Sequence, residues 1–272
     1  MTDPVLRPRT EARHPRAARL SSLSTRAVLE LMNDEDATIP AAVRTALPAI
    51  ERAVDAIVHS LQSGGRVRYV GAGTSGRLGV LDASEWPPTF GVEPDLARGI
   101  IAGGERALRE SVEGAEDDPA AGERDIRAAA RAGDVVVGIS ASGRAAYVRG
   151  ALAAARDLGA HTIAITCDPS SPLASDAGTA IAIDVGPEVL AGSSRLKAGT
   201  ATKLALNMLS TTAMIRLGRT RDDLMADFRA VNAKLRDRAV AIVAAEARVT
   251  EEQARARLER AGWDVRKAIS DR

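Results

Sequence analysis

The sequence predicts an α/β fold: a five-stranded parallel sheet with helices on both faces, preceded by N-terminal helices and followed by a small C-terminal helical module. Three observations predict it. Five apolar runs of strand length, at 66–70, 98–102, 134–140, 161–166 and 179–185, are continuous rather than alternating, as in strands buried on both faces. Helical patterns separate most of them, which parallel connections require. Two of the runs end in a turn rich in glycine and hydroxyl residues that opens a helix, and in such sheets ligands bind at the carboxyl ends of strands.

The 272 residues suit one large domain, or one domain with a small appendage. Apolar residues make up 45% of the chain and aromatic ones only 2%, so the core must be built from Ala, Val, Leu and Ile. A formal net charge of +1 gives no basic field to attract nucleic acid. Cys167 is the single cysteine, which excludes an intramolecular disulfide and fits a reducing cytoplasm. No apolar run approaches the ~20 residues of a membrane helix, and the N-terminal arginines lack the apolar stretch of a secretory signal. His14, His59 and His161 show no ligand spacing, so neither a metal nor a cofactor is expected.

In chain order, Arg7, Arg9, Arg13, Arg16 and Arg19 sit without apolar periodicity, and residues 1–20 are expected as a solvated, flexible arm. Leu23, Ala27, Val28, Leu31 and Met32 have helical spacing, ended at Asn33-Asp34-Glu35-Asp36. Pro40 suits the first turn of the next helix. Val43, Leu47, Ile50, Val54, Ile57 and Leu61 then form an apolar stripe that Pro48 should kink or divide. Beyond the strand at 66–70, Leu78 and Leu81 belong to a helix carrying Glu85, which Pro87-Pro88 are expected to stop. Helices are further expected at 105–112, 126–131, 145–158, 198–217 and 228–246. The one at 198–217 is mostly apolar, so it is deeply buried or lies in a subunit interface. Thr250-Glu251-Glu252-Gln253 is a capping box opening a helix that Gly262 ends, and Asp264 caps a last short one. With Trp263, this tail resembles the ubiquitin-associated three-helix pattern, although a helical lid or dimer arm fits it better. The organisation expected is thus an arm over 1–20, an α/β domain over 21–232 and a helical module over 233–272.

Strand, Gly/Ser/Thr turn and helix together present backbone N–H groups and hydroxyls to a phosphate. Gly71-Ala72-Gly73-Thr74-Ser75-Gly76 is not a Walker A loop, because no Lys follows its last glycine. It matches G-x-G-x-x-G, but the next strand ends in Gly103-Gly104 without the acidic residue a dinucleotide ribose requires. Thr74 and Ser75 favour a phosphomonoester instead. Candidate ligands in this first turn are Thr74, Ser75, Gly76 and Arg77. The second turn offers Ser140, Ser142, Gly143 and Arg144. A third segment, before the long apolar helix, offers Ser193, Ser194 and Lys197. Glu85 stands about ten residues beyond the first turn on the same helix, ~15 Å away, as a candidate acid or base.

The two turns, Gly73-Thr74-Ser75 and Ser140-x-Ser142-Gly143, resemble those of SIS (sugar isomerase) domains. The run from Gly76 to Gly91, with Asp82-Ala83-Ser84-Glu85-x-Pro87-Pro88 at its centre, closely resembles the signature of bacterial N-acetylmuramic acid 6-phosphate etherases. So do Asn33-Asp34-Glu35-Asp36, Ile101-Ala102-Gly103-Gly104-Glu105, Glu113-Gly114-Ala115-Glu116-Asp117 and Gly192-Ser193-Ser194-Arg195-x-Lys197-Ala198-Gly199-Thr200. The likeness runs from about residue 20 to the end. That family usually has Cys where this chain has Trp86, and Thr-Pro where it has Ala145-Ala146.

The resemblance implies an SIS-type fold, a homodimer with sites near its interface, and a small sugar phosphate as ligand. It implies cleavage of the lactyl ether of N-acetylmuramic acid 6-phosphate with water, giving N-acetylglucosamine 6-phosphate and D-lactate. It also implies two catalytic carboxylates, Glu85 and Glu116, with Asp117 in reserve as the base. A base removes the proton on sugar carbon 2, an acid protonates the departing lactate oxygen, and water adds back across the double bond. Glu85 is expected to be the acid, at a helix end beside Trp86 where the protonated form is favoured. Glu116 is expected to be the base. Two other classes share these features: a regulatory SIS-type protein that binds sugar phosphates and a kinase without catalysis, and an aldose–ketose phosphate isomerase. A length of one SIS unit and the presence of both glutamates favour the etherase.

Overall fold

Strands β1 (Val67–Gly71), β2 (Ala97–Ile101), β3 (Val135–Ile139), β4 (His161–Thr166) and β5 (Thr179–Ala182) form one parallel sheet in the order β2-β1-β3-β4-β5. The structure is a computed structural model and describes residues 8–225, 227, 228, 230 and 233–271. Arg7 therefore falls outside the described residues. The helices are α1 (Thr25–Asp36), α2 (Ile39–Thr45), α3 (Leu47–Gln62), α4 (Gly73–Phe90), α5 (Pro119–Ala129), α6 (Ala146–Asp157), α7 (Pro172–Asp176), α8 (Lys197–Arg216), α9 (Ala233–Ala247), α10 (Glu251–Arg260) and α11 (Val265–Ser270). None of the described helices is long and apolar enough to cross a membrane.

Side chains alternate across each strand, so the sheet has two cores. Val67, Tyr69, Val135, Val137, Ile163 and Ile165 pack against α2, α3, α4 and α8. Val70, Val136 and Ala164 pack against Ile126 of α5, Val148 and Leu152 of α6 and Leu173 of α7. A third cluster, around Val240, Val243, Leu258 and Val265, belongs to α9–α11 with Phe228 and Ala230. The capping box opens α10 as expected: Gln253 N–H donates to Thr250 Oγ1 at 3.2 Å, and Thr250 N–H to Gln253 Oε1 at 3.0 Å.

The chain order reverses across β1, which lies between β2 and β3. Gly71 and Ile139, the last residues of β1 and β3, are partners in register. The two hydroxyl turns therefore open side by side at the topological switch point of the sheet.

Pro48 divides its stripe, as expected, into α2 and α3 and sits in the first turn of α3, where a missing N–H costs nothing. Helix α1 ends, as expected, within Asn33-Asp34-Glu35-Asp36. Other local expectations are corrected. The stretch expected as a helix at 105–112 has only a 3-10 turn, Glu105–Leu108, and the helix before β3 begins at Pro119. Helix α7 had no counterpart in the sequence reading. Residues 8–22 do not float as an arm: 3-10 turns at Arg9–Glu11, Pro15–Ala17 and Leu20–Ser22 lie on the body, with Thr10 and His14 buried.

The largest correction concerns α4, which runs through Pro87 and Pro88 to Phe90. Trp86 and Phe90, one turn apart, are both buried, and Trp86 Nε1 donates to Asp82 Oδ2 at 3.1 Å. Burying two aromatic side chains, ~1.5–3 kcal/mol each, works against a penalty of ~3 kcal/mol for each of the two prolines. Gly91, left-handed at φ 64°, ends the helix and donates to the Pro87 carbonyl at 3.0 Å. Glu85 is consequently a mid-helix residue. It is exposed, while Trp86 points into the core, so the apolar helix-end setting expected for an acid is not there.

Candidate active site

Ala72 is the N-cap of α4 and Ala145 that of α6, and neither makes a side-chain cap. The first N–H groups of both helices are thus left to a ligand, at the positive ends of two helix dipoles. Between Ser140 and Ala145 the backbone folds tightly: Gly143 N–H donates to the Ser140 carbonyl at 3.0 Å with φ 63°. A Cβ on Gly143 would meet Ser171 Oγ at 2.3 Å, so only glycine fits. Ser142 Oγ accepts the Arg144 N–H at 3.3 Å, and its hydroxyl proton can still donate.

Between these two turns is a cleft of about 240 Å³ lined by Thr74, Ser75, Ser140, Ser142, Ser194 and Glu116. Glu116 sits in a 3-10 turn, Ala115–Asp117, after Gly114 in the left-handed region. It also lines an adjoining cavity of about 210 Å³ together with Arg77, Val112 and Glu113, so the residue borders both spaces. Asp117 lines neither.

Other predicted ligands have different tasks. Gly76 is a spacer: a Cβ there would lie 2.6 Å from Ile101 Cγ1 and 2.7 Å from the Gly71 carbonyl oxygen. Arg77 donates from Nε to Leu108 O at 3.2 Å and from Nη2 to Glu110 O at 3.1 Å, holding the loop that carries Glu116. Arg144 is exposed outside the cleft. Its charge helps hold the Asp168 carboxyl low: burial would raise Asp168, but hydrogen bonds from Ser170 and Arg9 and the charge of Arg144 outweigh that. Ser193 lies beside the cleft without lining it.

Lys197 is buried, and its Nζ donates to Glu35 Oε2 at 2.8 Å. The start of α8 that it was expected to furnish for a phosphate is already filled. Glu188, fully buried, accepts from Lys197 N–H at 3.0 Å and Ala198 N–H at 2.9 Å. Burial raises the Glu188 carboxyl above its ordinary range, against those two backbone donors. Cys167 is buried as well, and burial pushes its thiol up to about 12, so it is no nucleophile at neutral pH.

Glu85 is not brought to the cleft. It lies ~15 Å along α4 from Ser75, exposed and outside both cavities. Thr10 and Glu11 also line the cleft, and the sequence does not signal either. Their segment has no periodicity, and nothing in it signals a neighbour so distant in the chain.

The model of the glucokinase regulatory protein N-terminal SIS domain matches residues 49–156, and that of the SIS domain matches residues 115–212. The chain is 53% identical over 261 residues to the N-acetylmuramic acid 6-phosphate etherase of Pectobacterium atrosepticum, covering 96% of this chain and 86% of the relative. Against the Yersinia pestis etherase the identity is 52%, with 96% and 88% covered. The chain belongs to the N-acetylmuramic acid 6-phosphate etherase family. Solved structures of phosphoheptose isomerases from Neisseria gonorrhoeae and Francisella tularensis both superpose with a TM-score of 0.54. They share 20% and 19% identity, over 70% and 71% of this chain and 98% and 100% of theirs, a likeness of SIS fold alone. Of the two departures from the etherase signature, Trp86 is in the core, bonded to Asp82, and Ala145 lies on the cleft wall.

Proposed function

We propose that this chain is an N-acetylmuramic acid 6-phosphate etherase, cleaving the D-lactyl ether with water to N-acetylglucosamine 6-phosphate and D-lactate. The carrying observation is the cleft at the switch point. It joins two uncapped helix starts and the hydroxyls of Thr74, Ser75, Ser140 and Ser142, suited to a phosphomonoester dianion, to the Glu116 carboxylate. In this reading Thr74, Ser75, Ser140 and Ser142 hold the 6-phosphate. Glu116 takes the proton from carbon 2. As the bond from carbon 3 to oxygen breaks, Glu85 gives its proton to the departing lactate oxygen. Water then adds its hydroxyl at carbon 3 and gives its other proton to Glu85, while Glu116 returns its proton to carbon 2. Each proton-transfer role is worth typically ~10²–10⁴ in rate.

Glu85 is exposed and lines neither cavity of its own chain, so the reading pairs each cleft with Glu85 of a second copy in a homodimer. Leu81, one turn before Glu85 and 42% exposed, gives that face of α4 apolar area to bury. We assign the activity to the cytoplasm, in the reuse of cell-wall amino sugars.

A regulatory reading keeps one observation in its favour, the match over 49–156 to the regulatory-protein SIS domain. Incubation with N-acetylmuramic acid 6-phosphate and an assay for lactate decides. Lactate release is expected. Binding of sugar phosphate with no product would favour the regulator, and ketose formation the isomerase.

A further inference from the structure

We propose that the segment around Thr10 is a substrate-positioning strap of the cleft, in which Thr10 bonds the bound sugar phosphate and Glu11 selects for its hydroxyl or amide donors. The inference rests on the sugar-phosphate reading of that cleft and goes beyond it. Thr10 is 1% exposed and lines the cleft, yet its Oγ1 has no hydrogen-bond partner among the described residues. A buried hydroxyl without a partner destabilises the free protein, and a ligand in the cleft supplies the missing bond.

The strap is built rather than draped. Thr10 O accepts the Gly192 N–H at 3.1 Å, and Arg9 N–H reaches Asp168 Oδ2 at 3.5 Å. The Arg9 guanidinium pairs with Asp184 Oδ2 at 2.8 Å. Asp168 and Asp184 follow β4 and β5, so the strap crosses the carboxyl edge of the sheet. Further along, His14 Nε2 meets Glu35 Oε1 at 3.0 Å, and Glu35 in turn holds Lys197 at the start of α8.

Glu11 lines the same cleft, with its carboxylate laid over Gly192: a Cβ on Gly192 would meet Glu11 Oε2 at 2.8 Å. A carboxylate repels the phosphate held by the hydroxyl turns but accepts from hydroxyl and amide N–H groups. Phosphate and sugar are thereby distinguished within one cleft.

The test measures KM, together with calorimetric affinity for N-acetylglucosamine 6-phosphate and for inorganic phosphate. Thr10→Val is expected to raise KM about tenfold with kcat little changed, while the free protein melts no lower than wild type because an unpartnered hydroxyl has gone. Thr10→Ser should restore the wild-type KM. Glu11→Gln should weaken the sugar phosphate several-fold and leave inorganic phosphate unchanged or tighter. A wild-type KM in Thr10→Val, or equal loss of both ligands in Glu11→Gln, overturns the proposal. Ser142→Ala separates the two levels. If it weakens sugar phosphate while Thr10→Val does not, the strap alone fails; if neither does, the cleft itself has been misread.

Discussion

Ser142 is oriented before any ligand arrives, because its oxygen accepts the Arg144 N–H. Its proton is then free for a phosphate oxygen, and a hydrogen bond to a charged group is worth ~1.5–3 kcal/mol. Ser142→Ala should therefore raise KM by about tenfold or more with a much smaller change in kcat; unchanged affinity for the phosphorylated sugar would remove Ser142 from the site. The carboxylates should behave asymmetrically. With Glu85→Gln, lactate release should stop while slow exchange of the carbon 2 proton with deuterated solvent continues, because the base remains. Glu116→Gln should lose both, and the opposite pattern would exchange the acid and base roles. The hydroxyls of the two turns were legible in the sequence because a strand, a glycine turn and a helix start fix their surroundings locally. The tasks of Arg77 and Lys197 were not. Each is set by partners distant in the chain, the carbonyls of Leu108 and Glu110 for one and the Glu35 carboxylate for the other.

Among the elements, α8 and α1 are joined by one buried ion pair. Burial would push the Glu35 carboxyl up, but hydrogen bonds from Lys197 and His14 outweigh it and hold the carboxyl below its ordinary range. A depressed folded value means that the stabilisation is present above the unfolded value, ~4.3 for Glu. It is lost as pH falls through the lower folded value. Wild type minus Glu35→Gln, compared by urea unfolding across that acidic window, should shrink toward zero as pH drops. A difference independent of pH would remove Glu35 as the titrating group. At neutral pH, Glu35→Ala leaves the Lys197 ammonium buried without its carboxylate and should cost ~3–5 kcal/mol. Helix existence was legible almost everywhere from apolar spacing, but helix ends were not. Pro87-Pro88 is a local stop signal that burial of Trp86 and Phe90 overrides, and the difference moves Glu85 from a helix end to an exposed mid-helix face.

On the scale of the whole molecule, the strand set was legible from five apolar runs, whereas their order was not, since no single strand states its neighbour. The order matters because it brings Gly71 beside Ile139 and so creates the cleft. Subunit pairing can be read by mixing inactive variants. If Glu85 crosses to the partner, Glu85→Gln and Glu116→Gln chains mixed under subunit exchange should regain about a quarter of wild-type activity, one intact site in each mixed dimer. No recovery, or a monomer in sedimentation, would count against a shared site. The strap has a consequence for biosynthesis. Thr10 leaves the ribosome before any strand, but Gly192, which its carbonyl accepts from, follows roughly 10–40 s later at bacterial elongation rates of ~5–20 residues per second. Through that interval the nascent sheet has its mouth open. Residues made before every strand are among the last to dock, and a bulky fusion placed just ahead of them would obstruct ligand entry without disturbing a single strand.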